Sequence, residues 1–334
     1  MELALGGVFF LLAASCAAVM GFAIQRGATC TVAAVDELLS QHKATRLLAL
    51  LEASVWVTLG LLLAQQLHWL TKPPVAFQFS AWTLLGAALL GVGAFVNRAC
   101  VFGAIARLGS GEWAYVATPL GFYAGCVSVA AIFAPPPARM VEMPSPVLAA
   151  AGWLVWPLLL VLALRMVLPP VLRRGGRVGR GQASQATQGR ASQLWSPHAA
   201  TVVIGITFVI SLVAAGAWAY TDVLVELSHG MAHSVTARVL LALMLWVGAL
   251  VGGWTTGRFR NTRIRAASLL RCFAGGVLMG WGSLLIPGGN DGLILVGMPL
   301  LWPYAWLAFA TMCLTIACAQ LLQGRVRLHF VAKQ

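Results

Sequence analysis

Long apolar stretches are the feature that most limits what this chain can fold into. Hydropathy and loop charge together predict nine of them, each about as long as the roughly 20 residues that cross about 30 Å of hydrocarbon. Only 9% of the residues are charged, whereas a soluble globular domain is roughly 25% charged. We therefore predict an all-α polytopic membrane protein of about nine transmembrane helices. The predicted spans are 3–24, 46–67, 80–97, 112–134, 147–170, 199–220, 236–256, 267–286 and 302–323.

The net charge of +13 comes largely from short basic loops between the spans, and we predict no nucleic-acid partner. Arginines cluster in the loops 171–198 and 257–266, which the positive-inside rule places in the cytoplasm. Counting spans outward from these loops places the N-terminus outside and the C-terminus in the cytoplasm. The first apolar run is long for a signal peptide and has no basic residues before it, so we predict a retained span.

One pattern recurs three times: a glycine, eight further residues, and then a cysteine or a glycine. It runs from Gly21 to Cys30, from Gly91 to Cys100 and from Gly280 to Gly289. We predict an internal pseudo-repeat of two halves, which in membrane transporters favours a substrate site at the repeat interface. The halves are 1–170 with five spans and 199–334 with four, joined by a basic cytoplasmic linker at 171–198. At a constant offset of 189 residues, Gly86, Gly91, Gly93 and Gly103 match Gly275, Gly280, Gly282 and Gly292.

A short apolar segment follows each of the three motifs, at 28–40, 99–109 and 289–299. Each is too short to cross a bilayer, so we predict re-entrant half-helices. Membranes tolerate such breaks only where protein or a water-filled cavity satisfies the freed backbone groups. The N-terminus of a half-helix also presents N–H groups and the positive end of the helix dipole, which suits an anion.

Cys30 and Cys100 occupy the same register of the repeated motif. Two interpretations are open: a small residue that packs well between membrane helices, or a thiol that lines a cavity. A neutral S–H is a weak hydrogen-bond donor and can hold a soft sulfur anion without trapping it. The odd total of seven cysteines argues against a disulfide framework, and no metal-binding spacing occurs, so we predict no metal and no cofactor.

Three charged residues and one amide are further candidates. Arg26 and Arg98 flank the first two motifs, either as vestibule charges that attract an anion or as anchors at the membrane surface. Glu52 lies inside a span and needs a partner, for which Arg26 or Arg46 is available; it either couples transport to protons or forms a structural ion pair. Asn290 either caps the backbone or donates to the substrate.

The segments GFAIQRGATCTVAA, NRACVFGAIARLGSGEW, GRFR and GGVLMGWGSLLIPGGNDGLILVG, in this order, resemble the YeeE/YedE family of bacterial sulfur-compound transporters, which import thiosulfate. The resemblance spans nearly the whole chain. It implies an inner-membrane protein of nine spans with re-entrant helices, and a thiosulfate path lined by central cysteines. By motif match Cys30 and Cys100 take two of these positions, whereas Gly289 or Asn290 stands where a third thiol is expected.

We therefore predict a transporter, not an enzyme, that imports a small sulfur-containing anion, with thiosulfate as the first candidate. No nucleotide-binding P-loop occurs, so the chain itself does not consume ATP. Two alternatives remain open at this point. One is a membrane sulfurtransferase that forms a cysteine persulfide. The other is a non-transporting membrane subunit that recruits soluble sulfurtransferase partners on the cytoplasmic side.

Overall fold

The structure of the protein is a computed structural model and is almost entirely helical. It describes residues 2–70, 74–134, 140–141, 145–175, 195–216, 218–228, 232–257, 259–286 and 288–331. In chain order the helices are α1 Glu2–Gly27, α2 Thr31–Gln41, α3 Thr45–Gln66, α4 Ala81–Asn97, α5 Val101–Gly109, α6 Ala117–Phe133, α7 Pro146–Ala149, α8 Ala151–Gly175, α9 Pro197–Ala215, α10 Tyr220–Ser228, α11 Ala232–Thr255, α12 Ala266–Leu285, α13 Asn290–Gly292 and α14 Pro303–Val331.

Eight helical stretches in the described part of the chain are long and apolar enough to cross a membrane. They coincide with eight of the nine predicted spans, so the prediction of an all-α polytopic membrane protein is confirmed. The remaining prediction, 147–170, falls on α8, whose described apolar part, Ala151–Met166, is shorter than the other eight. Most of the predicted linker, 176–194, lies outside the described residues.

Short helices are present at all three predicted re-entrant segments. They are α2, α5 and α13, and α13 continues into a single π-helical turn, Leu293–Gly297. A further short helix, α10, was not predicted. The predicted spans 199–220 and 236–256 imply a loop between them, yet Tyr220, Thr221 and Val223 of α10 are buried. With α7, the described part of the chain has five short α-helices beside the long ones.

The break between α1 and α2 is a defined turn. Ala28 adopts a left-handed conformation with φ of 47°. Its N–H donates to the carbonyl oxygen of Gln25, and the N–H of Thr29 donates to that of Ile24, each at 3.2 Å. This pair of bonds is the Schellman arrangement, which ends a helix and satisfies its last carbonyl groups. Two of the last carbonyl groups of α1 are therefore satisfied where the chain leaves it to start α2.

The break between α4 and α5 has the same construction. Arg98 has φ of 60°, and the N–H groups of Arg98 and Ala99 donate to Phe95 and Ala94, each at 3.0 Å. A left-handed conformation is uncommon for any residue with a Cβ atom, so its recurrence at the same register of both motifs reflects a shared local fold.

Glycines allow α4 and α12 to approach each other backbone to backbone. A Cβ atom at Gly86 would lie 2.7 Å from the carbonyl oxygen of Gly282, and one at Gly93 would lie 2.8 Å from that of Gly275. The offset of 189 residues pairs Gly86 with Gly275 and Gly93 with Gly282, so each contact joins a glycine to the counterpart of the other, and both contacts are reciprocal. The predicted repeat of whole halves stays a prediction, but its glycine registers meet at one helix interface.

Other glycines hold neighbouring helices equally close. On the other side of α12, a Cβ atom at Gly280 would overlap the carbonyl oxygen of Phe122 in α6. On α1 and α11, Cβ atoms at Gly21 and Gly248 would overlap the carbonyl oxygens of Leu245 and Ala18. Small residues that permit such contact are typical of membrane helix interfaces.

Two strands of two residues each complete the fold. β1, Ala76–Phe77, pairs antiparallel with β2, Met140–Val141. The pair joins the loop after α3 to the loop after α6, and it lies at the end of the protein where α3 ends. It thereby covers one of the two cavities described below.

Candidate functional site

The two motif cysteines meet at the centre of the protein. Cys30 is the residue that precedes α2 and Cys100 the residue that precedes α5, so both occupy N-cap positions. Their carbonyl oxygens accept the first hydrogen bonds of these helices, from Ala34 at 2.9 Å and Ala104 at 2.8 Å. The two Sγ atoms are 3.7 Å apart, within reach of an S–H···S hydrogen bond. The structure thus brings together two residues that lie in separate motifs.

Thr31 joins the cysteine pair to the third motif. Its backbone N–H donates to Cys100 Sγ at 3.2 Å, and its hydroxyl oxygen accepts from Asn290 Nδ2 at 3.4 Å. Thr31 and Asn290 are both buried, and Asn290 Oδ1 has no hydrogen-bond partner among the described residues. A buried acceptor without a donor is costly, so this position favours a protonated group or a water molecule.

Gly289 occupies the N-cap position of α13, the same position that the cysteines hold elsewhere. A Cβ atom at Gly289 would overlap Thr221 Oγ1 and lie 2.6 Å from Thr221 Cβ. No side chain fits there unless α10 moves. The third motif therefore has glycine instead of cysteine because the unpredicted helix α10 fills the space of a side chain.

Asp291 fixes α10 against α13. Its carboxylate accepts the backbone N–H of Thr221 at 3.0 Å and also the Thr221 hydroxyl. Thr221 lies in the first turn of α10, where backbone N–H groups lack partners within the helix, so Asp291 supplies one from another segment. Gly289, Thr221 and Asp291 together form one buried joint between two short helices.

A cavity of about 860 Å³, here called the arginine cavity, lies on one side of the cysteine pair. Cys30 is on its wall, whereas Cys100 is fully buried behind it. A positive wall of this kind concentrates small anions. Its charged lining residues are Arg46, Arg98, Arg107, Arg271, Asp36 and Glu112.

A second cavity of about 560 Å³, here called the aromatic cavity, lies on the other side. Gly288 and Gly292 of the third motif are on its wall, and its charged residues are Asp222 and Arg238. Its aromatic lining residues are Trp69, Phe77, Trp218, Trp302 and Tyr304.

The two cavities lie at opposite ends of the same helices. α3 begins beside Arg46 of the arginine cavity and ends shortly before Trp69 of the aromatic cavity. Its 22 residues measure about 33 Å at 1.5 Å per residue, which is the thickness of the hydrocarbon layer. The buried residues Cys100, Thr31 and Asn290 lie between the two cavities, next to Cys30 on the wall of the arginine cavity.

The two candidate arginines, Arg26 and Arg98, lie in different surroundings. Arg98 lines the arginine cavity, close to the cysteine pair. Arg26 does not belong to that lining; its Nη2 donates to Thr255 Oγ1 at 2.9 Å, and its guanidinium lies 4.9 Å from the ring centre of Phe22. Arg26 thus joins α1 to α11, which agrees with the anchoring interpretation.

Glu52 is also outside the lining of both cavities. Its carboxylate contacts His198 Nδ1 and lies 3.7 Å from Arg165, where α3, α8 and α9 meet. Arg46, one of the two suggested partners, pairs instead with Glu37 at 3.4 Å. This geometry is that of a structural ion pair between helices.

The sequence marks Asp291 as a carboxylate in an otherwise apolar segment, although Glu52 is the stronger candidate there. Thr31 and Thr221 were not among the candidates from sequence. One signal points to Thr31, which directly follows the first motif cysteine. Nothing comparable marks Thr221, since its role depends on the fold of α10.

These features define a class: a multi-pass helical membrane protein with two cavities, separated by buried polar groups and thiols. Residues 26–318 match the family model described as Sulphur transport, and with a match over most of its length the chain belongs to this family. It is also 23% identical over 335 residues to the Thiosulfate transporter TsuA of Escherichia coli (strain K12), with 92% of each chain covered. The family and the relative are transporters and not enzymes. The predictions that the protein is a transporter of sulfur compounds and that it is not an enzyme are therefore confirmed.

Proposed function

We propose that the protein imports thiosulfate along the line that joins the aromatic cavity to the arginine cavity. The observation that carries this proposal is the pair of thiols, with Sγ atoms 3.7 Å apart, at the inner end of the arginine cavity. The similarity to a thiosulfate transporter supports the choice of anion. In this proposal Cys30, Cys100, Gly289 and Asn290 form the substrate path, and Arg98 belongs to its vestibule.

The ion meets different groups in turn. At the aromatic cavity it passes Gly288 and Gly292, where the backbone is open because no side chain intervenes. It then reaches Asn290 and Thr31, and after them the two thiols. Each contact is a weak or single hydrogen bond, which permits release as well as binding. The arginines of the next cavity then attract the anion onward.

Thiols suit this substrate because thiosulfate has a terminal sulfur that is large and polarisable. An S–H group can donate a weak hydrogen bond to this sulfur. The two cysteine Sγ atoms, 3.7 Å apart, already have the spacing of an S–H···S hydrogen bond. An arginine at the same place would bind the ion far more tightly and slow its release.

The proposed orientation rests on the charge distribution. The arginine cavity and the basic loops belong on the cytoplasmic side by the positive-inside rule, so in the bacterial inner membrane the aromatic cavity faces outward. Import is then passage from the aromatic cavity to the arginine cavity. A soluble sulfurtransferase that receives thiosulfate at the cytoplasmic face remains part of the proposal.

Uptake of labelled thiosulfate into proteoliposomes that contain only this protein tests the proposal. We expect uptake to fall about tenfold to a hundredfold in Cys100→Ala, because the variant loses a thiol contact to an anion of about 1.5–3 kcal/mol. A similar loss is expected for Cys30→Ala. Sulfate and selenite as competitors test how far the path selects the sulfur end of the ion.

Cys16→Ala is the matched control. Cys16 is a buried cysteine on α1, outside both cavity linings, so its loss removes a thiol without touching the path. Full uptake in the double variant of Cys30 and Cys100 would exclude the thiol path. Absence of uptake by the wild-type protein alone would exclude import by this chain without partners.

A further inference from the structure

Four charged groups gather at the wall of the aromatic cavity. Asp222 and Arg238 line the cavity itself. Glu226, one turn after Asp222 on α10, forms an ion pair with Arg238 of α11. Asp291 of α13 is bound to Thr221, the residue next to Asp222. Three carboxyl groups and a single guanidinium thus gather in this region.

The guanidinium is already used by one of the carboxylates. Glu226 holds Arg238, while no Lys, Arg or His in the described residues forms an ion pair with Asp222. The second carboxylate oxygen of Glu226 is buried and has no hydrogen-bond partner there either. Negative charge therefore exceeds positive charge where an incoming anion must pass.

An anion that enters this cavity is repelled as long as Asp222 is ionised. Protonation changes the group in two ways, because it removes the negative charge and turns an acceptor into an O–H donor. We infer that Asp222 is a proton-binding residue of the transport path, and that thiosulfate enters the aromatic cavity when the Asp222 carboxyl group carries a proton. This inference rests on the proposed function of thiosulfate import.

The surroundings of Asp222 place its titration in the physiological range. Burial, together with the carboxylates of Asp291 and Glu226, raises the pKa of Asp222 to about 7. Arg238 acts in the opposite direction. The Tyr304 hydroxyl group of α14 also faces Asp222 across the cavity. The other helices against α10, α6 and α12, contribute no residue to the lining of the aromatic cavity.

The sign of the pH dependence follows directly. The carboxyl group is protonated below pH 7 and ionised above it, so entry is favoured at low pH and is lost as the pH rises through about 7. For a single group with this pKa, the protonated fraction differs about tenfold between pH 6 and pH 8. Thiosulfate itself remains a dianion over this range, so the change reports on the protein.

The test measures uptake of labelled thiosulfate by proteoliposomes with equal pH inside and outside, which makes the result independent of protein orientation. For the wild-type protein we expect initial uptake about tenfold faster at pH 6 than at pH 8. Asp222→Asn, which is permanently uncharged, should show a ratio near one. Asp36→Asn is the matched control, because Asp36 lines the other cavity, and it should keep the wild-type ratio.

A second variant keeps the inference testable if Asp222→Asn does not fold. Glu226→Gln removes one neighbouring carboxylate and frees Arg238, and both changes lower the pKa of Asp222, so the midpoint of uptake should shift to lower pH. An unchanged midpoint, or an Asp222→Asn variant with the wild-type pH ratio, would overturn the inference while import itself stands. A wild-type protein without uptake at any pH would instead overturn the proposed function.

Discussion

The first two helix breaks of this protein and the third each place the last residue of the repeated motif at an N-cap position, but the residue type there differs. At the first two, a non-glycine residue in left-handed conformation, Ala28 or Arg98, is followed two positions later by an N-cap cysteine. At the third, Gly288 has φ of 103° and Gly289 takes the N-cap position. The three breaks share the register of the N-cap residue, but the third differs in backbone as well as in chemistry, because Ile286 at the end of α12 has an extended conformation.

Crowding explains this difference better than substrate preference does. The Sγ atoms of Cys30 and Cys100 have space toward each other, and Cys30 also borders the arginine cavity. At Gly289 the side chain of Thr221 occupies the equivalent volume. A third thiol is thus excluded by a neighbouring helix, and the third break contributes Asn290 and Asp291 instead.

The largest effect is expected for Gly289→Ala, which tests the crowding directly. The added methyl group overlaps Thr221, and overpacking of this kind typically costs about 1–3 kcal/mol and occasionally more. Thermal unfolding in detergent should show a clear drop in Tm. Gly292→Ala is the control, because nothing lies within 4 Å of a Cβ atom there. Equal Tm values for the two variants would refute the explanation.

Thr221→Val probes the joint between α10 and α13 with little change of shape. The variant removes a hydroxyl group that donates to the buried carboxylate of Asp291, and we expect a loss of about 1–3 kcal/mol in unfolding free energy. Thr207→Val is the matched control, since the Thr207 hydroxyl bonds only to carbonyl groups of its own helix. A loss of the same size in both variants would show that the joint has no special importance.

The two thiols should differ in reactivity although their registers match. Cys30 lines the arginine cavity and Cys100 is fully buried, so a hydrophilic maleimide should modify Cys30 at least about tenfold faster. Mass spectrometry of the labelled peptides gives the two rates, and added thiosulfate should slow the modification of Cys30. Faster labelling of Cys100 would contradict the proposed order of the thiols along the path.

The smallest effect is expected for Arg98→Gly. Glycine adopts the left-handed conformation of this position without strain, so the break should persist while one positive charge of the cavity is lost. We expect a rise of KM for thiosulfate of about threefold, from an exposed charge interaction of less than about 1 kcal/mol. Ala28→Gly makes the same backbone change without a charge and should leave KM unaltered; a rise there would point to the backbone instead.

Much of the architecture could be predicted because a bilayer demands it. Span length, arginine-rich loops and the shortness of the segments after the motifs follow from hydrocarbon thickness and backbone hydrogen bonding. The register of Cys30 and Cys100 was readable as well, since a repeated spacing survives in the sequence. For this reason the predicted helical fold agrees with the structure over eight spans.

The contacts of the buried polar residues were less predictable, because they join segments that are far apart in the sequence. Glu52 attracted attention as a carboxylate inside a span, yet its partners His198 and Arg165 come from helices whose placement the sequence does not show. Asp222 stood in a presumed loop and received no role. The segment forms the buried helix α10, and Asp291 supplies a hydrogen-bond partner for the first turn of this helix.

The glycine contacts on both sides of α12 also limit how the protein moves. Many transporters expose their site to one side and then the other by rocking one bundle of helices against another. Here α4, α12 and α6 touch through backbone atoms at Gly86, Gly93 and Gly280, so sliding one past another would drive carbonyl oxygens into main chain. We therefore expect α4, α6 and α12 to keep their relative positions during a transport cycle.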